Sequence, residues 1–192
     1  MMRIITGTAK GKRLLTLEGE ATRPTSERIK GAIFSSIQFD IENRVVLDLF
    51  AGSGQMGLEA LSRGASRATF IDSSREAMEI VKKNAVSTGF FDNSHFLVSD
   101  AKNYVRKASG KAKFDLVFID PPYSMQCSGE IAALLARSGV IIPGAIVVLE
   151  MGEERVDLSR PEFASFEVIK SEQYGKKTAV LILLYRGGEN EE

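Results

Sequence analysis

The sequence predicts an α/β fold built on a mostly parallel sheet. Short apolar runs rich in β-branched and aromatic residues, typical of buried strands, occur at residues 45–50, at 68–71 and from Phe114 onward. Segments whose apolar residues recur at helical spacing separate these runs. Strand and helix therefore alternate along the chain, which is typical of a sheet whose neighbouring strands are parallel and joined by helices.

The composition is that of an ordinary folded domain. Of the 192 residues, 44% are hydrophobic and 26% are charged, so we expect one domain with a small appendage. No apolar run is long enough to span a bilayer, and no signal peptide is recognisable. Cys127 is the only cysteine and His95 the only histidine, so the chain has no intrachain disulfide and a multi-histidine metal site is disfavoured, although carboxylate-only metal sites stay open. A reducing cytoplasm fits this composition, and no metal is expected.

The N-terminal segment predicts a β-hairpin. Residues 3–6 and 12–16 can pair across a turn that contains two glycines. Three regions are therefore predicted: a basic hairpin extension at 1–22, the main domain at 23–187 and a frayed tail at 188–192.

The remaining elements follow in order. A helix is predicted to begin at Arg23-Pro24-Thr25-Ser26, with Thr or Ser as its cap. Pro143-Gly144 is predicted to form a turn before a strand. The last two strands are predicted to pair antiparallel and to close a sheet of seven. The other predicted helices are those after the glycine-rich turn at 52–57, after the capping residues 73–74, at 101–108 and at 129–137, and the other predicted strands are 95–98, 145–150, 166–170 and 178–185.

Aspartates mark the ends of four successive predicted strands: Asp48, Asp72, Asp100 and Asp120. Because parallel strands end at one edge of a sheet, these acids are expected to line one rim, where open sheets bind their ligands. Like charges placed together are costly unless each has a partner or a ligand. A helix cap is the alternative role for Asp72 and Asp100.

The residues from Gly52 to Gly57 match the pattern Gly-x-Gly-x-x-Gly between a strand and a helix. With Asp72 about twenty residues further on, this spacing also fits an NAD-binding site. Asp48 weakens that alternative, because an acid just before the glycines is unfavourable near a pyrophosphate and favours a cationic ligand. The NAD alternative also leaves the next motif without a role.

That motif is Asp120-Pro121-Pro122-Tyr123, which directly follows the strand that starts at Phe114. Neither proline has an N–H, so the chain must leave the sheet here. The Asp120 carboxylate and the Pro121 carbonyl are acceptors beside the flat ring of Tyr123, an arrangement suited to a planar molecule that carries an NH₂ group. The alternative is a plain turn with Tyr123 in the core.

Together these motifs resemble a known family. Asp48-Leu49-Phe50-Ala51-Gly52-Ser53-Gly54 with Asp120-Pro121-Pro122-Tyr123 is similar to the S-adenosylmethionine-dependent amino-group methyltransferases. The N-terminal segments, ending in Arg23-Pro24-Thr25-Ser26-Glu27-Arg28, resemble the bacterial 16S ribosomal RNA guanine-N2 methyltransferases. The resemblance covers almost the whole chain, although it is loose after Met151, and Asp72 stands where relatives often carry Glu. It implies a Rossmann-like class I methyltransferase domain at 23–187.

The resemblance implies roles for individual residues. Asp120, Pro121 and Tyr123 would hold the target amine and base. Asp48 would balance the ammonium of S-adenosylmethionine, Asp72 would bind its ribose and Asp100 its adenine. Arg23 and Thr25, with Pro24, would close over its carboxylate. The remaining cofactor contacts would be Phe50, Gly52, Ser53, Gly54 and Ala101.

The implied partner is 16S rRNA or the assembled small ribosomal subunit, with guanine 966 as the family's target and a monomeric enzyme. Residues 3–30 carry seven Lys/Arg against three Glu, and Lys10, Lys12, Arg13 and Arg28 are the candidate phosphate contacts. A solvated surface segment explains the same charges equally well.

Three other functions remain open. Adenine-N6 methylation of DNA uses the same chemistry, but such enzymes usually carry a separate target-recognition domain. An NAD-dependent oxidoreductase would use the glycine-rich turn and Asp72 but not the Asp-Pro-Pro-Tyr motif. A non-catalytic RNA-binding protein is disfavoured because no motif residue is missing.

Overall fold

The computed structural model describes residues 2–17 and 24–187, with only the backbone included for 24–26. Within these ranges the strands are β1 (Val45–Leu49), β2 (Arg67–Asp72), β3 (Ser94–Val98), β4 (Phe114–Ile119), β5 (Ile141–Met151), β6 (Phe166–Tyr174) and β7 (Thr178–Tyr185). The helices are α1 (Pro24–Ser36), α2 (Gln55–Ser62), α3 (Arg75–Thr88), α4 (Ala101–Ala108) and α5 (Ser128–Ser138). In the part of the chain described, no helix is both long and apolar enough to cross a membrane.

The strands form one seven-stranded sheet in the order β3-β2-β1-β4-β5-β7-β6. β1 to β3 pair in parallel, β4 and β5 do so as well, and β7 runs antiparallel to both β5 and β6. This confirms the predicted α/β class and the antiparallel final pair. The chain divides into two compact units, Met1–Asp100 and Ala101–Glu192.

The first unit contains β1 to β3 and α1 to α3. β1 is buried because Val46, Leu47 and Leu49 are each fully enclosed by neighbouring side chains. α3 begins as predicted, with the Ser74 hydroxyl accepting a hydrogen bond from the Ala77 N–H. The three parallel strands end at the same edge of the sheet, which brings the loops that follow them together.

The second unit contains α4, α5 and β4 to β7. β4 is buried from Leu116 to Ile119, as its apolar run predicts. The predicted turn at Pro143-Gly144 is wrong, because β5 already begins at Ile141. Phe114 of β4 pairs with Ile141 of β5, and the next pair is Leu116 with Ile146, so β5 has three extra residues between these two pairs. Pro143 and Gly144 therefore lie in an irregularity inside the strand. Proline lacks an N–H and Gly144 has φ 86°, yet pairing resumes on both sides of them.

The N-terminal loop pairs antiparallel at Arg3 and Arg13, as predicted, with backbone hydrogen bonds from Ile4 to Lys12 and from Leu14 to Met2, but this single bridge does not extend into the two predicted strands. Its N–H groups explain the difference. Those of Ile5 and Thr6 bond to the Glu59 carboxylate and that of Leu15 bonds to the Asn84 side chain, so they are not available for a ladder, while the turn is held by the Thr8 and Ala9 N–H groups, which bond to Ser62 on α2. The loop is therefore part of the first unit. The predicted tail at 188–192 lies outside the described residues.

The carboxylate of Glu59 in α2 is the second anchor of this loop. Its side chain is fully buried, and its oxygens accept hydrogen bonds from the N–H groups of Ile5 and Thr6 at 2.7 and 3.0 Å. Arg63 donates to the same carboxylate at 2.9 Å, and the Lys30 ammonium of α1 lies 3.4 Å from it. One acid thus joins the loop to two helices.

Lys30 is almost as buried as its partner, with 1% of its side chain exposed. Burial lowers the pKa of Lys30, and the charge of Glu59 opposes that shift. The ammonium also donates to the carbonyl oxygen of Arg3 at 2.6 Å. A buried ion pair whose partners have such additional hydrogen bonds is tolerated, but removal of one partner leaves an uncompensated charge.

We therefore expect Glu59→Gln to lower the free energy of unfolding by about 3 kcal/mol or more, because Lys30 and Arg63 lose the charge that compensates theirs. Urea denaturation followed by circular dichroism measures this. Glu42→Gln, at an exposed glutamate of the same unit, is the matched control and should change stability by less than about 0.5 kcal/mol. Equal effects of the two substitutions would contradict a structural role for the Glu59 carboxylate.

Candidate active site

The glycine-rich turn follows β1 in a conformation that few residue types adopt. Phe50, Gly52 and Gly54 have φ values of 68°, 54° and 78°. Such values are unstrained for glycine but cost energy for Phe50. A Cβ on Gly54 would lie 2.9 Å from a methyl carbon of Val81, so the turn also needs glycine for space. The chain therefore presents its backbone, rather than side chains, at the end of β1.

Asp72 holds this turn in place. One of its carboxylate oxygens accepts from the Gly52 N–H at 2.9 Å, and the other accepts from the Ser74 N–H at 2.8 Å. Ser74, not Asp72, is the cap of α3. A carboxylate has about four acceptor positions, so Asp72, which is half-buried, can accept from a ligand hydroxyl as well.

Asp48 lies inside β1, one residue before its end, with 2% of its surface exposed. Its carboxylate accepts from the Gly57 N–H of α2 at 2.9 Å. A Cβ on Gly57 would lie 2.4 Å from the ring of Phe70, so only glycine lets α2 come this close. The third glycine of the pattern thus positions Asp48. This role was not predicted from the sequence, although the pattern itself contained the signal.

Burial raises the pKa of Asp48 to about 7, the Gly57 N–H opposes that shift, and the negative charge of Asp72 adds to it. A carboxylate held in this way is poised between its neutral and ionised forms near neutral pH. A cationic group placed beside it would favour the ionised form. The site is therefore suited to an ammonium-bearing ligand, as the position of the acid before the glycines predicts.

Asn84 of α3 connects the turn to the N-terminal segment, a connection not predicted from the sequence. Its buried amide donates to the carbonyl oxygens of Ser53 and Leu15, and its oxygen accepts from the Leu15 N–H. The Ser53 hydroxyl donates to the sulfur of Met2 at 2.9 Å. Asn84 occupies a helical apolar stripe in the sequence, so no local pattern distinguishes it from a core position.

Two of the other predicted cofactor residues, Asp100 and Ala101, lie where α4 begins. Asp100 is exposed and directly precedes α4, whose first residue, Ala101, is buried. Arg23 lies outside the described residues, and Thr25 lies in α1 with its side chain not described. Their predicted contacts with a cofactor stay predictions.

The Asp120-Pro121-Pro122-Tyr123 corner directly follows β4 in the second unit. Asp120 and Tyr123 are half-buried, Pro121 is buried and Pro122 is exposed. The chain leaves the sheet at Asp120, as the two prolines predict. The corner thus combines a carboxylate with an aromatic ring three residues away.

Tyr123 is held at both ends of its side chain. Its hydroxyl donates to Glu150 at 3.1 Å and lies 2.8 Å from the Thr178 hydroxyl. Burial, with the nearby charges of Glu150 and Asp120, raises the pKa of Tyr123 to about 12, so the phenol stays protonated at physiological pH. At its other end, the residue packs against Gly152.

Comparison with known proteins places the chain in a family. Residues 2–183 match the family described as "Conserved hypothetical protein 95". The chain belongs to this family. It is 34% identical over 188 residues, 97% of its own length and all of the relative, to the "Putative rRNA methyltransferase YlbH" of Bacillus subtilis strain 168. It is 33% identical over 149 residues to the "Ribosomal RNA small subunit methyltransferase D" of Escherichia coli K12, covering 78% of this chain and 74% of the relative.

Solved structures show the same fold. The "Putative methyltransferase yhhF" of Escherichia coli superposes with a TM-score of 0.82 at 28% identity, covering 97% of this chain and 99% of the other. An RNA methyltransferase of Salinibacter ruber, solved with S-adenosyl-L-homocysteine, superposes with a TM-score of 0.64 at 18% identity, covering 88% and 98%. The comparisons thereby confirm the predicted family of small-subunit rRNA methyltransferases and the Rossmann-like methyltransferase fold.

Because the pKa of Asp48 is raised in the folded protein, the free energy of unfolding depends on pH. The folded state holds the Asp48 proton up to about pH 7, whereas the unfolded chain releases it near 3.8, so stability falls as pH rises between these values. Asp48→Asn removes this penalty while its amide oxygen can still accept from Gly57. We expect the variant to match the wild type near pH 4 and to gain stability up to pH 7, by on the order of 4 kcal/mol at most.

Denaturation curves at intervals between pH 4 and pH 8.5 measure this gain. Glu153→Gln, at an exposed carboxylate, controls for the removal of a charge and should show no such trend. A stability difference between Asp48→Asn and wild type that is the same at every pH would show that the acid is not protonated in the folded protein.

Proposed function

We propose that the protein transfers a methyl group from S-adenosylmethionine to the exocyclic N2 of a guanine in 16S rRNA, and that this guanine is number 966, the target that the sequence resemblance implies. The observation that carries the proposal is the Asp-Pro-Pro-Tyr corner at the end of β4, in a chain that belongs to a family with rRNA methyltransferases among its relatives. The substrate is 16S rRNA or the assembled small subunit. The reaction takes place in the cytoplasm, where bacterial ribosomal RNA is found, and the enzyme acts as a monomer.

The first unit supports the cofactor assignment. S-adenosylmethionine carries an ammonium, a carboxylate, a ribose and an adenine, and supplies the electrophilic methyl group. Asp48 suits the ammonium, because a buried acid with a raised pKa gains a favourable partner in a cation. The backbone at Gly52 and Gly54 allows close approach, and Asp72 has acceptor positions left for the ribose hydroxyls.

The remaining cofactor contacts complete this proposal. Asp100 and the Ala101 N–H receive the adenine, and Phe50 and Ser53 make lesser contacts. Arg23 and Thr25 close over the methionine carboxylate.

The corner after β4 supports the amine assignment. The lone pair of a guanine amine is delocalised into the ring, so the amine is a poor nucleophile. Asp120 and the Pro121 carbonyl accept hydrogen bonds from its two N–H groups and turn the lone pair toward the methyl carbon. The nitrogen–carbon bond forms as the sulfur–carbon bond breaks, and positive charge builds on the nitrogen. Fixed acceptors beside it stabilise that charge in the transition state.

Proton loss needs no strong base. The methylated amine is very acidic and releases its proton to Asp120 or to water. In-line alignment of nitrogen, carbon and sulfur therefore accounts for much of the rate. Tyr123 stacks on the extruded base, and such stacking is worth about 1–3 kcal/mol, similar to the cost of unstacking a loop nucleotide.

The basic loop of the first unit supports an RNA partner. Lys10, Lys12 and Arg13 are all exposed on the loop that Glu59 and Ser62 anchor, and Arg28 is exposed on α1. Cations on a rigid loop can bind phosphates without a large loss of conformational entropy on binding. They orient the RNA, while the base is read at the corner.

The family relatives support these choices over the alternatives of an NAD-dependent oxidoreductase and a non-catalytic RNA-binding protein, because they are named as methyltransferases. Adenine-N6 methylation of DNA shares the chemistry of the corner. Offering labelled cofactor with rRNA, small subunits or DNA separates these substrates, and nuclease digestion of the product identifies the methylated nucleoside.

Asp120→Ala should lower the transfer rate to small subunits from a strain that lacks the enzyme by at least about 100-fold, because the amine loses its charged acceptor. Calorimetric binding of S-adenosylmethionine should change little. Asp157→Ala, at an exposed aspartate of the same unit, is the control and should retain full activity. Normal turnover of the Asp120 variant would refute the assignment.

Replacing Lys10, Lys12 and Arg13 together by alanine should raise the KM for small subunits while kcat changes little, because these cations serve binding. The slope of log affinity against log salt is negative, and its magnitude should decrease by about 0.7 for each phosphate of single-stranded RNA that the variant no longer neutralises. The matched control replaces Arg106, Lys107 and Lys111, which are exposed in the second unit. The same rise in KM from both triple variants would mean that only net charge matters.

A further inference from the structure

We propose that Gly152, Thr178 and Glu150 are positioning residues that fix the ring plane of Tyr123 and so set where the target base sits. The inference rests on the proposed function, in which Tyr123 contacts that base. The three residues lie outside the Asp-Pro-Pro-Tyr motif, and all belong to the second unit. They act on the base only through Tyr123.

Gly152 limits the position of the Cβ and Cγ atoms of Tyr123. A Cβ at this position would lie 2.7 Å from Cγ, 2.8 Å from Cβ and 3.1 Å from Cδ2 of Tyr123. These atoms belong to the root of the side chain, so they cannot move away as the far end of a flexible side chain could. Gly152 is not among the residues with positive φ, so its requirement for glycine is one of space. Any larger residue must displace Tyr123 or its own backbone.

Thr178 and Glu150 fix the position of the Tyr123 hydroxyl. Glu150 lies in β5, and Thr178 is the first residue of β7. As a carboxylate, Glu150 can only accept, so the Tyr123 hydroxyl donates to it and the Thr178 hydroxyl donates to the phenol oxygen. Thr178 is buried, which protects this pair of hydrogen bonds from competition by water.

The two ends together leave the ring little freedom. A tyrosine has two side-chain torsions, and contacts at the root and at the hydroxyl restrict both. The phenol, with its raised pKa, stays protonated and remains a donor to Glu150. A base stacked on such a ring is held at a fixed height relative to the acceptors of Asp120 and Pro121. This matters because a displacement of about 1 Å can cost 100-fold in rate.

The hydroxyl contacts give the sharpest test. Thr178→Val keeps the shape of the side chain but removes the hydroxyl, and we expect kcat for small subunits to fall about fivefold, as for the removal of one hydrogen bond. Thr178→Ser restores a hydroxyl and should restore most of the rate. In a Tyr123→Phe background Thr178→Val should have no further effect, because the phenol on which it acts is gone.

Gly152→Ala tests the other end of the ring. A phenylalanine ring meets the same added Cβ, so we expect a loss of about 100-fold in kcat in both the Tyr123 and the Tyr123→Phe backgrounds. Binding of S-adenosylmethionine, measured by calorimetry, should be unchanged. If Gly152→Ala fails to fold, the Thr178 series decides alone.

The outcomes separate this inference from the proposed function. Absence of methyl transfer to small subunits by the wild type refutes the proposed function. Transfer by the wild type with equal rates for Thr178→Val and Thr178→Ser overturns the positioning role alone. An equal loss from Thr178→Val in the presence and absence of the phenol also overturns it, because the threonine would then act on general stability rather than through Tyr123.

Discussion

The buried carboxylate of Glu59 is the interaction on which the first unit depends. A charge without water is tolerated only when its hydrogen-bonding capacity is filled, and here backbone N–H groups, Lys30 and Arg63 fill it. Because those donors come from the N-terminal loop, α1 and α2, satisfying one acid fixes the relative positions of three segments. The exposed cations of the loop are therefore presented on a rigid support.

Asp48, near the end of β1, and Asp72, at the end of β2, differ in burial and in hydrogen bonding. Asp72 is half-buried, and both of its oxygens accept from backbone N–H groups, which holds the glycine-rich turn in place. Asp48 is enclosed, and burial raises its pKa to about 7 despite the Gly57 N–H. The same residue type thus supports the turn at the end of β2, whereas in β1 it is an enclosed acid with a raised pKa.

In the second unit, the aromatic ring of the proline corner is part of a network rather than an isolated platform. Tyr123 is bounded by Gly152 at its root and by Glu150 and Thr178 at its hydroxyl. The ring is consequently oriented before any substrate arrives, and the entropy of fixing it is lost during folding instead of during binding. In the proposed reaction, a base stacked on this ring is held at a fixed height relative to Asp120 and the Pro121 carbonyl, which align its amine.

The sequence by itself determined the α/β class, most of the element boundaries and the two motifs that identify the family, because these depend on local periodicity, on proline and glycine geometry and on short spacings. It did not determine that residues 3–16 form an anchored loop, that Pro143 and Gly144 lie within β5, or that Gly152 lies against Tyr123. Each of these depends on which distant groups meet in space: Ser62 and Glu59 take the N–H groups of the loop, and β4 continues to pair with β5 beyond the proline. Only the tertiary structure decided such contacts, since burial and hydrogen-bond partners far along the chain leave no local pattern.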